Sequence, residues 1–211
     1  MHEHILNPAQ KTVLSRLGFL THIPVYMGGG TALALQLGHR TSVDFDLYNP
    51  EKFDVGSLKK LFLKKIPETQ VLNEHPDGTL QLNINGVDVS IFYHPYSLIG
   101  RLVEFHPIKL ASLEDISASK IAAVVQRARQ RDFVDIYYLS QKLGFDKVLK
   151  SAFKKFPWYG DSPGIVLKSL TYFSEADTDR EANRVKLFDT SLTWDHVKDF
   201  IKSSVQAHYN P

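Results

Sequence analysis

The 211-residue sequence contains no cysteine, which excludes a disulfide framework, a thiolate metal site and a cysteine nucleophile. Long apolar runs are also missing, since no segment approaches the roughly 18 consecutive apolar residues of a membrane span. The N-terminal MHEHILNPAQK has no apolar run behind a basic start, so no signal peptide is read there. The expectation is a cytoplasmic chain with no membrane partner. Neither sign of charge dominates: 25 Lys+Arg face 23 Asp+Glu, for a net charge of +2. A pI near 8.6 lets the chain approach phosphate-rich partners without requiring one. There is no internal repeat and no low-complexity linker. What is present is an ordinary folded mix, 43% hydrophobic and 23% charged, enough to bury the core of one domain or two small lobes.

Local patterns divide the chain. Asn7-Pro8 reads as a capped helix start, followed by Val13, Leu14, Leu17 and Leu20 on one helical face. Ile23 to Met27 is a short apolar strand that runs into Gly28-Gly29-Gly30, and Thr31 to Leu37 is a short apolar helix. Ser42 to Tyr48 alternates as a strand, with Val43, Phe45 and Leu47 on one side and Ser42, Asp44 and Asp46 on the other. Asp54 can cap a helix to about Ile66. Three strands then fill Thr69 to His94, turned at Pro76-Asp77-Gly78 and at Asn85-Gly86, a strong two-residue hairpin signal. After Pro107 the pattern becomes helical: Ser112 to Val125, Arg131 through Leu139, Ile165 to Phe173, and Trp194 to Val205 behind a Thr193 cap. Glu175 to Asp179 reads as a solvated acidic loop. The fold class is α+β, with a mixed-sheet lobe over residues 1–107 and a helical lobe over 108–211.

The chemistry concentrates between Gly28 and Leu47. Asp44 and Asp46, one residue apart on a strand, point to the same face. Carboxylates that close repel each other unless a cation lies between them. Hard oxygen donors at this spacing suit Mg²⁺ or Mn²⁺, and two such metals can clamp the attacking and leaving oxygens of a phosphoryl transfer. A Gly-rich turn that feeds a helix offers backbone N–H groups and a positive dipole end to a triphosphate. Thr31 adds a hydroxyl at its mouth. His39 and Arg40 can balance phosphate charge, and Ser42 is a site-shaping hydroxyl with no base beside it.

These residues carry a resemblance. Gly29-Gly30-Thr31-Ala32-Leu33, followed by His39-Arg40-x-Ser42-x-Asp44-Phe45-Asp46-Leu47, resembles the signature of the AbiEii/AbiGii-type nucleotidyltransferase toxins, abortive-infection toxins of the DNA polymerase β-like superfamily. That superfamily carries Gly-Ser, a spacer and then D-x-D. Here Thr31 stands in the place of the Ser. A second block, Asp115, Lys120, Arg127 and Arg131-Asp132-Phe133-Val134-Asp135, is similar to the family's later motifs. Lys120 and Arg127 share a face if their helix is unbroken. The resemblance spans residues 25 to 140, and the last 70 match no motif.

The resemblance implies a nucleotidyltransferase-like sheet lobe with flanking helices, joined to a helical lobe that supplies Lys120 and Asp132. It implies that Asp44 and Asp46 bind catalytic Mg²⁺ or Mn²⁺, and that Lys120 contacts the nucleotide phosphates. Gly29, Gly30, Thr31, Arg40 and Ser42 complete the nucleotide site. Asp132 or Asp135 supplies a further acid. Asp132 is favoured, with Asp135 the structural partner of Arg131 or Arg127. Asp88 is either a third metal ligand or an ordinary polar position after a hairpin turn. The implied reaction moves a nucleoside monophosphate from an NTP to an acceptor hydroxyl. The implied acceptor is RNA such as a tRNA 3′ end, and the implied partner is a cognate antitoxin. The rivals are a protein-nucleotidylating enzyme and a non-catalytic binding module.

Other features have plainer readings. Nine histidines are scattered without a zinc spacing, and His94 and His106 precede prolines. Lys59, Lys60, Lys64 and Lys65 either track a nucleic-acid backbone or form a solvated face. Trp158-Tyr159, in a Pro/Gly-flanked loop, either stack on a base or pack.

Overall fold

The computed structural model describes residues 1–209. The chain forms two compact units: Met1–Ser97 with Arg101–Ala111, and Leu98–Gly100 with the chain from Ser112 onward. No helix among the described residues is long and apolar enough to cross a membrane.

The first unit is a five-stranded sheet with three α-helices. Helix α1 (Pro8–Arg16) starts on a full capping box: Asn7 Oδ1 accepts from the Gln10 N–H at 2.8 Å, and Gln10 Oε1 accepts from the Asn7 N–H at 3.0 Å. Helix α2 (Gly29–Leu37) ends at Gly38, whose φ of 66° is the left-handed turn that glycine permits. Helix α3 (Val55–Lys65) is capped by Asp54, which accepts from the Ser57 N–H at 2.7 Å. The strands are β1 (Tyr26–Met27), β2 (Phe45–Asn49), β3 (Gln70–His75), β4 (Thr79–Ile84) and β5 (Val87–Tyr93).

The sheet order is β1-β2-β5-β4-β3. Only the β2–β5 pair is parallel, in a register that sets Asp46 beside Ser90 and Tyr48 beside Phe92. Strict alternation drives one face of the three central strands into the core. Phe45, Leu47, Leu80, Leu82, Ile84, Val89 and Ile91 are all fully buried, and a buried side chain of this size stabilises by about 1.5–3 kcal/mol. The opposite face carries Asp46, Tyr48, Asp88, Ser90 and Phe92, half-buried. The β4–β5 turn is Asn85-Gly86 with φ of 51° and 82°, the two positive values of a type I′ hairpin.

Two strands are shorter than their patterns suggest. The expected strand Ile23–Met27 reduces to Tyr26–Met27, because Val25 N–H turns back onto the Ile23 carbonyl at 2.7 Å. The expected strand Ser42–Tyr48 begins only at Phe45. Side chains take the carbonyls ahead of it: Gln10 Nε2 donates to Ser42 O at 2.8 Å, and the Thr31 hydroxyl donates to Asp44 O.

The second unit is helical: α4 (Leu113–Gln126), α5 (Gln130–Leu143), α6 (Phe145–Lys155), α7 (Pro157–Asp161), α8 (Pro163–Leu170), α9 (Ser174–Asp177) and α10 (Trp194–Tyr209). Helix α4 packs against α5, α6 and α8, with Ile116, Ala118, Ile121 and Val124 buried along it. The amphipathic α6 was not expected, and Trp158-Tyr159 lie in short α7 rather than in a loop. There Tyr159 is buried and Trp158 is exposed.

The acidic stretch 175–179 is not a solvated loop either. Glu175 accepts from the Ala128 N–H at 3.3 Å, and Asp179 accepts from the Gln130 N–H at 3.1 Å. These carboxylates satisfy N–H groups where α5 begins, a place that favours negative charge. Asp177 takes the Trp194 indole N–H at 2.7 Å.

Candidate active site

The site in the first unit is organised by glycines. Gly28 precedes α2 and continues the sheet, donating its N–H to Asp46 O at 2.9 Å. Gly29 opens the helix at φ +63°, and a Cβ there would run into the Asp46 carboxylate. A Cβ on Gly28 would run into the Tyr48 ring. A Cβ on Gly30 would lie 2.6 Å from Arg40 Nη2. Three bare positions thus let a carboxylate, an aromatic ring and a guanidinium each lie against the start of one helix. The backbone N–H groups of Gly29, Gly30 and Thr31 fall in its first turn, where no intrahelical acceptor exists.

The hydroxyls expected at the mouth of this turn serve the backbone instead. Thr31 is 1% exposed and Ser42 8% exposed. Thr31 Oγ1 shares a 2.8 Å hydrogen bond with Ser42 Oγ and also binds the Asp44 carbonyl. Together they clasp the segment that delivers Asp44. Arg40, 1% exposed, donates to Thr41 O at 2.9 Å. Its charge is therefore built into the wall behind Gly30 rather than carried on a free arm. His39 is buried beside it in sequence, at 4% exposure.

Asp44, just ahead of β2, and Asp46, on it, are both half-buried. As hard oxygen donors, with no cysteine thiolate anywhere in the chain, they suit Mg²⁺ or Mn²⁺. The space above Gly29, which a Cβ would fill, is where the Asp46 carboxylate lies. No group of three or more His, Asp or Glu among the described residues is placed to hold a metal. Mg²⁺ commonly takes one or two carboxylates and completes its shell with waters and substrate phosphates, so this pair fits the ion. Asp88 lies on the same sheet face, but its carboxylate accepts from Asn83 Nδ2 at 2.7 Å, within the β4–β5 hairpin.

The second unit gathers the later motif residues around Lys120. Its Nζ is 2.7 Å from Asp132 Oδ1 and 2.6 Å from Asp135 Oδ2, with side-chain exposures of 9%, 1% and 0%. Helix α4 stops at Gln126, and Arg127 is extended at φ −158°, so Lys120 and Arg127 do not share an unbroken helix. Arg127 nevertheless reaches Asp132, with Nη1 3.7 Å from Oδ2. At that length it is an ion pair without a hydrogen bond, and Oδ2 is buried with no hydrogen-bond partner. The partner expected for Asp135 was Arg131 or Arg127. Asp135 instead shares Lys120 with Asp132, while Arg131 pairs with Glu181 at 3.5 Å.

Asp115, the remaining motif acid, donates its N–H to the Ser112 hydroxyl that caps α4, and its carboxylate pairs with Lys155 at 2.7 Å. Burial pushes its carboxyl up. Hydrogen bonds from Lys155, Ser112 and the N–H groups of Ile99 and Gly100 outweigh that and hold it below the usual carboxylate value. Lys155 was not singled out by any motif. Nor was Tyr48, although it continues the alternation of Asp44 and Asp46 by one more step.

Comparison with known proteins identifies the family and the fold. Residues 14–196 match the family model described as nucleotidyl transferase AbiEii toxin, type IV TA system. An uncharacterized protein of Aquifex aeolicus (strain VF5) is 33% identical over 189 residues, covering 87% of each chain. Among solved structures, the chain is similar to MenT4, a nucleotidyltransferase toxin of Mycobacterium tuberculosis H37Rv. There the TM-score is 0.63 and the identity 15%, covering 94% of this chain and 82% of that one. It is also similar to ANT(2″)-Ia in complex with adenylyl-2″-tobramycin, with a TM-score of 0.52 and 15% identity, covering 71% of this chain and 97% of that one. At these identities the solved structures show a shared fold, and the match over residues 14–196 shows the family: the chain belongs to the AbiEii nucleotidyltransferase toxins and is a nucleotidyltransferase.

Proposed function

We propose that the chain transfers a nucleoside monophosphate from an NTP to an RNA hydroxyl, such as the 3′ end of a tRNA, with the α–β phosphate bond broken and pyrophosphate released. We further propose that it does so as the toxin of a type IV toxin–antitoxin pair, held in check by a cognate antitoxin. The observation that carries the reading is the meeting of Asp46 with the helix start at Gly29, beside Asp44 and in front of buried Arg40.

Asp44 and Asp46 would hold Mg²⁺ (Mn²⁺ is an equivalent donor match), and the bound ion would offset phosphate charge and acidify the acceptor hydroxyl. The N–H groups of Gly29, Gly30 and Thr31 are positioned to receive phosphate oxygens. Arg40 adds a fixed positive charge behind them. Thr31 and Ser42 hold Asp44 in place through its carbonyl, so the carboxylate needs little reorganisation. Lys120 and Asp132 enter the proposal through the motif that they match, Lys120 as a phosphate contact and Asp132 as a further acid. The adenylyl-2″-tobramycin bound to ANT(2″)-Ia is an adenylylated product on a similar fold, and it supports nucleotidyl transfer as the chemistry.

The test is incubation of the protein with each α-³²P-labelled NTP, Mg²⁺ and total RNA, alongside Asp46→Ala. Label entering RNA with the wild type, and falling to background with the variant, is the expected result. Label entering protein would replace the RNA acceptor with a protein one. No label from any nucleotide, with or without a partner extract, would overturn the proposal.

A further inference from the structure

The half-buried face of the sheet carries more than the acidic pair. Tyr48 follows Asp46 by two residues on β2, so its ring projects from the same face about 7 Å along the strand. The same ring is what a Cβ on Gly28 would strike, just as the Asp46 carboxylate is what a Cβ on Gly29 would strike. Carboxylate and ring therefore rest on neighbouring residues of one turn.

The aromatic surface continues outward. The His94 ring lies 4.7 Å from that of Tyr48, tilted by 40°. The Tyr96 ring lies 4.8 Å from that of His94, edge-on at 71°. The His94 N–H donates to Asn49 O at 2.7 Å, which extends the β2–β5 pairing and fixes the step between the rings. Exposure rises along the series, from half-buried Tyr48 and His94 to Tyr96 at 38%. The Tyr48 ring also packs on buried Tyr26, at 5.8 Å, and on Phe92, at 6.0 Å, whereas His94 and Tyr96 are not among the buried core residues.

We propose that Tyr48, His94 and Tyr96 form a stacking platform for the base of the nucleotide whose phosphates the Gly28–Gly30 turn receives. The inference rests on the reading of that turn as the triphosphate site. A ribose separates base from α-phosphate by a span comparable to the step from Asp46 to Tyr48. Ring faces accept any base, because every base has a π-face, and each stacked base contributes about 1–3 kcal/mol. The platform would therefore bind all four NTPs, purines more tightly than pyrimidines through their larger rings.

The experiment is calorimetric titration of the full chain, with Mg²⁺ present, by two ligands. One is α,β-methylene-ATP, which keeps the base and cannot transfer. The other is inorganic tripolyphosphate, which has no base. Wild type should bind the nucleotide about tenfold more tightly than tripolyphosphate. Tyr96→Ala, at an exposed ring, should reduce that advantage and leave tripolyphosphate binding unchanged, while Tyr96→Phe retains it. If Tyr96→Ala binds the nucleotide as tightly as wild type does, with tripolyphosphate still bound, the platform is wrong and the phosphate site stands. If wild type binds neither ligand, both readings fall.

Discussion

Replacing Lys120 by methionine tests whether the second-unit motif is an ion cluster before it is anything else. The substitution keeps the volume of the side chain and removes its charge. Asp132 and Asp135, with 1% and 0% side-chain exposure, would be left facing each other without the ammonium between them. Arg127, 3.7 Å from one oxygen of Asp132, would remain nearby. Breaking a buried ion pair by removing one partner costs about 3–5 kcal/mol. With a urea m-value of about 1–3 kcal/mol/M, the midpoint should fall by about 2 M. Both tryptophans, Trp158 and Trp194, lie in the second unit, so intrinsic fluorescence reads this unit's unfolding selectively. Adding Asp135→Asn to Lys120→Met removes the surplus charge and should restore a large part of the loss, a coupling of about 1–3 kcal/mol. A Lys120→Met midpoint equal to wild type, or a double variant no better than the single, would refute the argument. Reduced NTP turnover in Lys120 variants must accordingly be compared at equal folded fraction.

Two further substitutions follow from the geometry. Gly29→Ala places a side chain at φ +63°, at a cost of about 1–2 kcal/mol, and displaces the Asp46 carboxylate. Label transfer should collapse while the fold survives, and Gly18→Ala, with nothing within 4 Å of its added Cβ, is the control. A fully active Gly29→Ala enzyme would remove Asp46 from the site. For Asp115 the sign runs toward acid sensitivity. Its folded carboxyl titrates below the ordinary value, so its contribution is present above about pH 4 and is lost as the pH falls through the folded value. Urea midpoints taken from about pH 5 to about pH 2.5 should drop less steeply in Asp115→Asn than in wild type. Equal slopes would deny Asp115 that role.

The sequence makes local devices readable and leaves distant ones hidden. Asn7-Pro8, Asp54 and Asn85-Gly86 announce their caps and turn because each acts within three residues. The apolar alternation of β4 and β5 likewise fixes which face is core. Strand β2 starts late because Gln10 and Thr31, far away in sequence, hold the carbonyls before it. The break at Arg127 has the same kind of cause, since Glu175 and Asp179 bind the N–H groups on either side of Arg129. Helix α6 shows a clear period in Val148, Leu149 and Ala152 but begins at Gly144 with no side-chain cap to mark it. In the site, the order Gly-Gly-Thr to D-x-D was plain. The burial of Arg40 and the Tyr48 contact with Gly28 depend on close approaches that no spacing encodes.

The acidic stretch at 175–181 changes how the motifless end of the chain should be valued. Its carboxylates hold the turn into α5, and Phe173 and Trp194 pack their rings on Phe133, which lies between Asp132 and Asp135. The last third of the polypeptide is thus the mould in which the Lys120 cluster sets. Substitutions that remove Glu175, Asp179 or the Phe173–Trp194 rings should therefore loosen the helix that carries Asp132 and Asp135. A frameshift beyond Leu170 would leave every motif legible in the gene and take away the support of its later half.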